Sequence, residues 1–505
     1  MISIKVLGGG REVGRTCLQL DFNNNHFLLD CGISPSMKGK ASLPIMPNSE
    51  INVIFISHAH LDHTGAIPAL VRQGFKNKIF MTLPTLALLK LLWEDELSLM
   101  NREWSLEDQI WDSKDMYTAL TKLAVNLTYH ELYKLDSIQV NFHNAGHILG
   151  SAMIEISINN FRILFSGDLG TSSNHLRYWR TEDIAYPDIL ICEGTYGGKN
   201  RKSREEATKE LLESIKSTLE RGGKVLIPIF AVGKTQEILK ILKDNRNNLP
   251  NVDIYLEGMS IEALRVYEQF IIYMDDNIRR SYIFNSIDPF KWDALKTFSS
   301  ILERKEIHSS KEPCIIMAPS GMLRGGWSIW HMIRIAQSLD NMIILLGHME
   351  NGTIGYDLIN GIREFKLYDM IDKEEKNVKV NCEIKHIDIS AHAMHSELCN
   401  YISKIKPENL ILIHGDYQSL LNLSKSVEKY AKNIIIPSNG DVIEISKNQV
   451  SIEENSNKDL EVPLTQGLSI FLPQNTKIKI KHEGTIKYVK SENLKSIIKS
   501  TMKVS

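Results

Sequence analysis

The chain has 505 residues, 43% hydrophobic and 24% charged, with a net charge of −2 and a pI near 6.8. This composition excludes a disordered chain and a single small core, and it leaves any nucleic-acid surface to local clusters rather than to bulk charge. No apolar run is long enough to span a membrane, the opening MISIKVLGGG is not a secretion signal, and the six scattered cysteines form no CxxC pair, so a cytoplasmic protein with reduced thiols is expected.

Residues 1–198 run as short apolar stretches that stop at Gly, Asp or His, among them ISIKVLGGG, HFLLDCG, INVIFISH, IQVNFHNAGH, FRILFSGD and DILICEGTYGG. So many short strands predict packed sheets; the stretch from about 84 to 122, rich in Leu, Glu and Lys, is the helical exception. Between 199 and 385 the rhythm changes. REEATKELLESIKSTLERGGKVLIPIF reads as a helix, a Gly-Gly stop and a strand, and AVGKTQEILKILKD as the next helix. This alternation predicts an α/β unit with a parallel sheet. Residues 386–450 return to the first style with IKHIDISAH and ENLILIHGD. SIEENSNKD (451–459) reads as a polar linker. The remaining 460–505 form a small basic appendage. Its KIKIKHEGTIKYVKS predicts a hairpin with one basic face, and from 474 onward eight lysines face two glutamates. The Gly-rich VLGGGREVG lacks the lysine and helix of a phosphate loop and reads as a turn between strands.

ISHAHLDHTGAIPAL sets His58, His60, Asp62 and His63 directly after an apolar strand. His147, Asp168, Glu193 and His414 also stand where apolar runs stop. Burying so many polar atoms unpaired would cost several kcal/mol, about 2–7 for each group, so they meet water or hold something. Imidazole and carboxylate donors without thiolate suit zinc, with manganese the next candidate. Seven of these eight already exceed one tetrahedral ion and suffice for two if a carboxylate bridges. A pair of ions can activate water and stabilise the attacking and leaving oxygens of a phosphate.

SHAHLDHTGAIPAL, LLDCG with Asp30, AGHILGSA with His147 and FSGDLG with Asp168 together resemble the metallo-β-lactamase fold over 1–198 and 386–450. The resemblance implies an αββα sandwich. It implies a first metal on His58, His60 and His147, a second on Asp62, His63 and His414, Asp168 between them, and Asp30 behind the ligands. The insertion at 199–385 resembles a β-CASP domain, the cap of nucleic-acid-cutting members. CEGTYGG with Glu193, ISAH with His392, LIHGD with His414, VLIPIFAVGKTQEIL and APSGMLRGG are similar to segments of the mRNA 3′-end cleavage endonucleases and their bacterial and archaeal relatives, and less so to ribonuclease J. DNA-directed β-CASP nucleases have valine at the position of His414, so histidine favours RNA. His348 stands where relatives have tyrosine, a departure that touches the substrate side of the resemblance.

On this reading Glu193 orients His392, which protonates a leaving oxygen. Lys234, Ser320, Arg324 and His348 are candidate substrate contacts, and His395 is a surface or supporting residue. The expected activity is two-metal cleavage of single-stranded RNA to 5′-phosphate and 3′-hydroxyl ends, with two zinc ions, or manganese in their place. Other outcomes are a 5′-to-3′ exoribonuclease, a thioester or lactam hydrolase of the same fold, and an inactive scaffold subunit. No membrane partner is expected; a homodimer is one assembly the tail would serve.

Overall fold

The computed structural model describes residues 1–453, apart from 48, 49, 136, 160, 172, 174, 183, 185 and 447–449, together with the backbone of 477–482 and 485–490. Two sheets face each other. One has eight strands, in the order Val450–Glu453, Val442–Ile445, Ile2–Gly8, Cys17–Phe22, Asn25–Leu29, Val53–Phe55, Lys78–Thr82 and Ala124–Leu127. The other has seven: Asn433–Ile435, Asn409–Ile413, Ile189–Glu193, Phe161–Phe165, Ala152–Ile158, Ile138–Asn144 and Leu132–Leu135. Ile4, Leu18, Leu29 and Phe55 of the first meet Phe142, Ile154, Ile163, Ile191 and Ile411 of the second in a fully buried layer. Helices cover both outer faces. On the second sheet, His395–Ile405 and Tyr417–Val427 lay Leu398, Tyr401, Leu420 and Leu423 on Leu164, Leu190 and Leu412. This is the expected αββα sandwich.

The long helix anticipated near 84 is Leu83–Glu103. Thr82 caps it by accepting the Thr85 N–H, and Pro84 sits in the first turn, where its missing N–H costs nothing. The stretch is interrupted at 104–112, and the helix resumes at Ser113–Thr118. At the start of the insertion, Ser203 and Glu206 form a capping box on Arg204–Glu220.

The inserted unit has a six-stranded sheet, in the order Leu295–Thr297, Ile254–Leu256, Ile315–Ala318, Val225–Pro228, Met342–Leu346 and Glu383–Ile387, with every pairing parallel. The strand Glu383–Ile387 pairs along its whole length with Met342–Leu346. The expected boundary at 385/386 therefore cuts a strand, and the chain leaves the insertion after Ile387. One apolar cluster joins the two units, from Leu88 and Trp93 to Tyr267, Met274 and Ile227.

One further expectation changes at the C-terminal side. Residues 451–453 of the supposed linker complete the strand Val450–Glu453, which pairs with Val442–Ile445. In the tail, Lys477–His482 pairs antiparallel with Thr485–Lys490, the hairpin the alternation predicts; the rest of 460–505 lies outside the described residues. The described cysteines form no disulfide, and no helix among the described residues is long and apolar enough to cross a membrane.

Candidate active site

The donors gather at one edge of the sandwich because strands of both sheets end there. Val53–Phe55 runs into His58, His60, Asp62 and His63; Ile138–Asn144 into His147; Phe161–Phe165 into Asp168; Ile189–Glu193 ends on Glu193; and Asn409–Ile413 runs into His414. Asp30 and His414 take left-handed backbone angles, φ +57° and +51°, turning the chain sharply at two strand ends. Close approach of the loops also requires glycine: a Cβ on Gly170 would lie 1.9 Å from the Gly146 carbonyl oxygen, and one on Gly32 1.8 Å from that of Asp62.

His58, His60, His147 and Asp168 form one compact donor group; Asp62, His63 and His414 form a second, and Asp168, Glu193 and His392 a third. In the first, His60 Nδ1 lies 3.1 Å from His58 Nε2 and 3.2 Å from His147 Nε2. Asp168 Oδ2 lies 3.5 Å from His58 Nε2 and 3.6 Å from His147 Nε2. Corners of a tetrahedron with zinc-length bonds stand about 3.3 Å apart, so the spacing fits such an ion. In the second group, Asp62 Oδ2 is 3.4 Å from His414 Nε2. His63 Nε2 is 3.3 Å and His414 Nδ1 3.4 Å from Asp168 Oδ1. Asp168 thus turns one oxygen toward each group.

The proton arrangement fits as well. The Ser57 hydroxyl donates to Asp30 Oδ2 (2.6 Å), so its oxygen accepts from His58 Nδ1 at 3.0 Å. Asp30 Oδ2 also takes His63 Nδ1–H at 2.7 Å. The Thr195 hydroxyl donates to the His414 carbonyl (2.9 Å) and faces His414 Nδ1 at 3.1 Å. At His58, His63 and His414 the outer Nδ1 is therefore engaged, and Nε2 is left to face the centre. His63 Nε2 and Asp168 Oδ1 are buried without a hydrogen-bond partner, an arrangement that costs about 1–3 kcal/mol per group unless something binds there.

Electrostatics agree with the donor roles at His58, His147 and Asp168; at His63 burial is outweighed by Asp168 and Asp62, which raise the pKa well above the usual imidazole range. Burial pushes the pKa of His58 and His147 well below the usual imidazole range, which favours the neutral ring. At Asp168 burial works against ionisation, but His63, His414 and His392 outweigh it and hold the carboxyl well below its ordinary value. His392 differs. Burial lowers its pKa, yet Glu193 and Asp168 more than compensate and raise it above the usual value. Its Nδ1 faces Glu193 Oε2 at 3.3 Å and Asp168 Oδ2 at 3.8 Å, and its side chain is 21% exposed. Glu193 is fixed in turn by the Leu169 N–H at 2.6 Å.

The structure thus brings together Asp30, His58, His60, Asp62, His63, His147, Asp168, Glu193, His392 and His414. The expected substrate contacts fare differently. Lys234 is buried, with Nζ on Glu237 at 2.7 Å, and Arg204 also pairs with Glu237. Lys234 is a packed ion-pair partner, not a solvent-facing phosphate grip, because its ammonium is already used. Arg324 is exposed but paired with Glu350. The Ser320 backbone N–H is held by the Ser328 hydroxyl, and its own hydroxyl accepts the Arg324 N–H. His348 is exposed. Ser320, Arg324 and His348 all follow C-terminal ends of the inserted parallel sheet, the edge that also leads into His392 and where ligands bind in such sheets. His395 supports rather than reacts: its Nδ1 accepts the Gly198 N–H at 2.9 Å.

Sequence reasoning missed Ser57, Thr195 and Arg201. The first two adjoin ligand motifs (FISH, EGTY), but serine and threonine there carry no visible signal. Arg201 donates to the His392 carbonyl at 2.7 Å and lies 4.2 Å over the Tyr196 ring.

Three family descriptions match the chain: a metallo-beta-lactamase superfamily domain over 18–178, a Beta-Casp domain over 235–358, and a Zn-dependent metallo-hydrolase RNA specificity domain over 377–437. Transcription termination factor FttA of Methanocaldococcus jannaschii is 32% identical across 88% of this chain and 72% of its own length. The RNase J-like protein of the same organism is also 32% identical, across 88% of this chain and all of its own length. The chain belongs to the β-CASP nuclease family of the metallo-β-lactamase fold. Cleavage and polyadenylation specificity factor subunit 3-I of Arabidopsis thaliana is 32% identical across 83% of this chain and 60% of its own length. The RNase J-like relative stands level with the others, although the motifs place ribonuclease J further away. A solved protein of unknown function from Enterococcus faecalis V583 shares the fold, with a TM-score of 0.54 at 14% identity over 88% of this chain and 99% of its own. The β-CASP nucleases are zinc-dependent hydrolases, and the His/Asp cluster is the matching candidate centre here.

Proposed function

We propose that this protein is a two-metal endoribonuclease that cuts single-stranded RNA to leave 5′-phosphate and 3′-hydroxyl ends. The observation that carries this reading is the juxtaposition at Asp168. A full donor set for two ions meets a histidine–glutamate pair that no ligand role requires.

Zinc bound at the two donor groups would supply Lewis acidity toward the phosphate and its attacking water. The chain's own residues supply the rest. Asp30, Ser57 and Thr195 hold the tautomers of His63, His58 and His414. Glu193 aims His392 and favours its protonated form. His392 gives a proton to the departing 3′ oxygen, so the 2′-hydroxyl need not act as nucleophile. The RNA-specificity domain matched at 377–437 and the RNA-processing names of the relatives support RNA as substrate. The C-terminal edge of the inserted sheet supports a cleft between the two units as its path.

The test is cleavage of RNA labelled at either end, with and without chelator. Internal cuts that chelator abolishes and zinc restores are expected. Products shortened only from the 5′ end would replace the endonuclease with an exonuclease. Cleavage that survives thorough chelation would overturn the metal mechanism.

A further inference from the structure

The metal centre has a walled side and an open side. The inserted unit makes the wall. A Cβ on Gly233 would lie 2.8 Å from Ile148, beside the ligand His147; the Leu149 N–H donates to the Tyr267 hydroxyl at 3.2 Å; Arg177 pairs with Asp276 at 2.8 Å. These contacts leave the second sheet from the loops after Ile138–Asn144 and Phe161–Phe165. Across the same sheet, in the order Ile189–Glu193, Asn409–Ile413, Asn433–Ile435, the edge passes His414 and reaches the start of helix Tyr417–Val427.

An aromatic ring is held in the open there. Tyr417 is 46% exposed, although it is only three residues from the ligand His414. Three residues span at most about 11 Å of chain. Arg11, from the glycine-rich turn between the first two strands, sits 4.8 Å from the Tyr417 ring centroid. Its own guanidinium is pinned, with Nε and Nη2 donating to the Ile436 carbonyl at 3.1 and 2.8 Å. The His414 N–H to the Gly9 carbonyl (2.7 Å) ties the same turn to the ligand loop. A cation fixed over one face stops the ring from folding away and leaves the exposed remainder available. The Lys199–Asp416 ion pair adjoins it through the neighbouring Asp416.

We propose that Tyr417, backed by Arg11, is a stacking platform for one nucleobase of the substrate strand on the open side of the metal centre, within two or three nucleotides of the cut. The inference rests on the ribonuclease reading above. A nucleobase is the occupant the chemistry favours. An aromatic face takes any base, and a neighbouring guanidinium adds cation–π attraction and positive charge toward the backbone. The ring lies three residues from His414, close enough for a strand leaving the centre on this side to meet it. Tyr417 is a positioning residue, since it touches substrate away from the reacting phosphate.

The experiment measures kcat/KM on RNA oligonucleotides carrying a single abasic nucleotide at each of about six positions around the cut, with the wild-type chain, Tyr417→Ala and Tyr417→Trp. In the wild type one position on one side of the cut should lose roughly 10- to 100-fold, the usual worth of one base–aromatic stack. Tyr417→Ala should lose a similar factor on intact RNA and nothing further at that abasic position, with most of the loss in KM. Tyr417→Trp should behave as wild type. Zinc content by mass spectrometry should be the same in all three, which separates the ring's role from damage to His414. A Tyr417→Ala variant within twofold of wild type on intact RNA, or one that keeps the full abasic penalty, would overturn the platform while leaving the ribonuclease reading in place. A wild-type protein that cuts no RNA would end both. Tight protein capture by Tyr417 with unaltered RNA kinetics would assign the ring to a protein partner instead.

Discussion

Both units of the molecule bury clusters of charged and histidine side chains at strand ends, and they treat them in opposite ways. In the inserted sheet, Glu257 takes Arg304 on both oxygens (2.7 and 2.9 Å) and His331 at 3.3 Å, and His331 in turn meets His308 at 2.8 Å. Arg304 also lies 4.2 Å over Trp327. That network satisfies itself. In the sandwich, His63 Nε2 and Asp168 Oδ1 face one another's groups without a hydrogen bond. Polar residues at a strand end therefore mark a binding centre only where the fold leaves their atoms unspent.

The sharpest break of this contrast is Asp168→Ala. It removes the carboxylate shared by both donor groups, so metal occupancy by mass spectrometry and RNA cleavage should both fall to background. Retained activity would end the two-metal reading. Next in size, His392→Ala should keep its metal and slow cleavage by roughly 10²- to 10⁴-fold, with partial recovery on a 3′-bridging phosphorothiolate whose leaving group needs no proton. His414→Ala should lose metal and rate together. Equal metal loss in the two variants would make His392 a ligand.

The self-satisfied network should fail in another currency. Glu257→Ala leaves Arg304 buried and uncompensated, and unfolding free energy in denaturant should drop by about 3–5 kcal/mol while zinc content per folded chain stays constant. A lone buried carboxyl outside both clusters gives an intermediate case. Burial, reinforced by Asp95 and Glu103, pushes Glu96 up to about 7. Its folded pKa exceeds the unfolded one, so its contribution is full below about 4.3 and is lost as pH rises through about 7. Glu96→Gln should exceed wild-type stability by only about 1 kcal/mol at pH 5 and by up to about 4 kcal/mol at pH 8, the free energy that separates those two pKa values. Equal stability at both values would show that Glu96 finds solvent. The smallest effect is expected at Thr195→Ala, which frees the outer nitrogen of His414. Zinc affinity should weaken roughly 10- to 100-fold, read by competition with a chelating dye.

Much of the centre was legible because its residues are concentrated. His58, His60, Asp62 and His63 fall within six positions after a strand, a density that composition alone rarely yields. The alternation of strand and helix likewise separated the inserted unit from the sandwich. The strand Glu383–Ile387 runs two residues past the expected return because IKHI and the following DIS are both strand-like, and only pairing with Met342–Leu346 decides which sheet takes them. The pairing of Lys234 and Arg324 was hidden for a related reason. Whether a basic side chain is spare depends on a carboxylate brought in by folding, and Glu350 lies 26 residues from Arg324. Ser57 and Thr195 were invisible because a hydroxyl that fixes a tautomer needs only to be near, not to repeat.

The place where His392 is fastened has a mechanical consequence. Its own strand partner is Gly170, the Thr171 N–H reaches the Ala391 carbonyl at 3.1 Å, and the Ala393 N–H reaches the Leu169 carbonyl at 2.7 Å. His392 is thereby clamped to the same rigid frame as Asp168, although the chain has only just come back from the insertion after Ile387. Give between the two units would fall in the short span from Asp388 to Ser390, ahead of the clamp. A displacement there would leave the spacing between His392 and Asp168 unchanged.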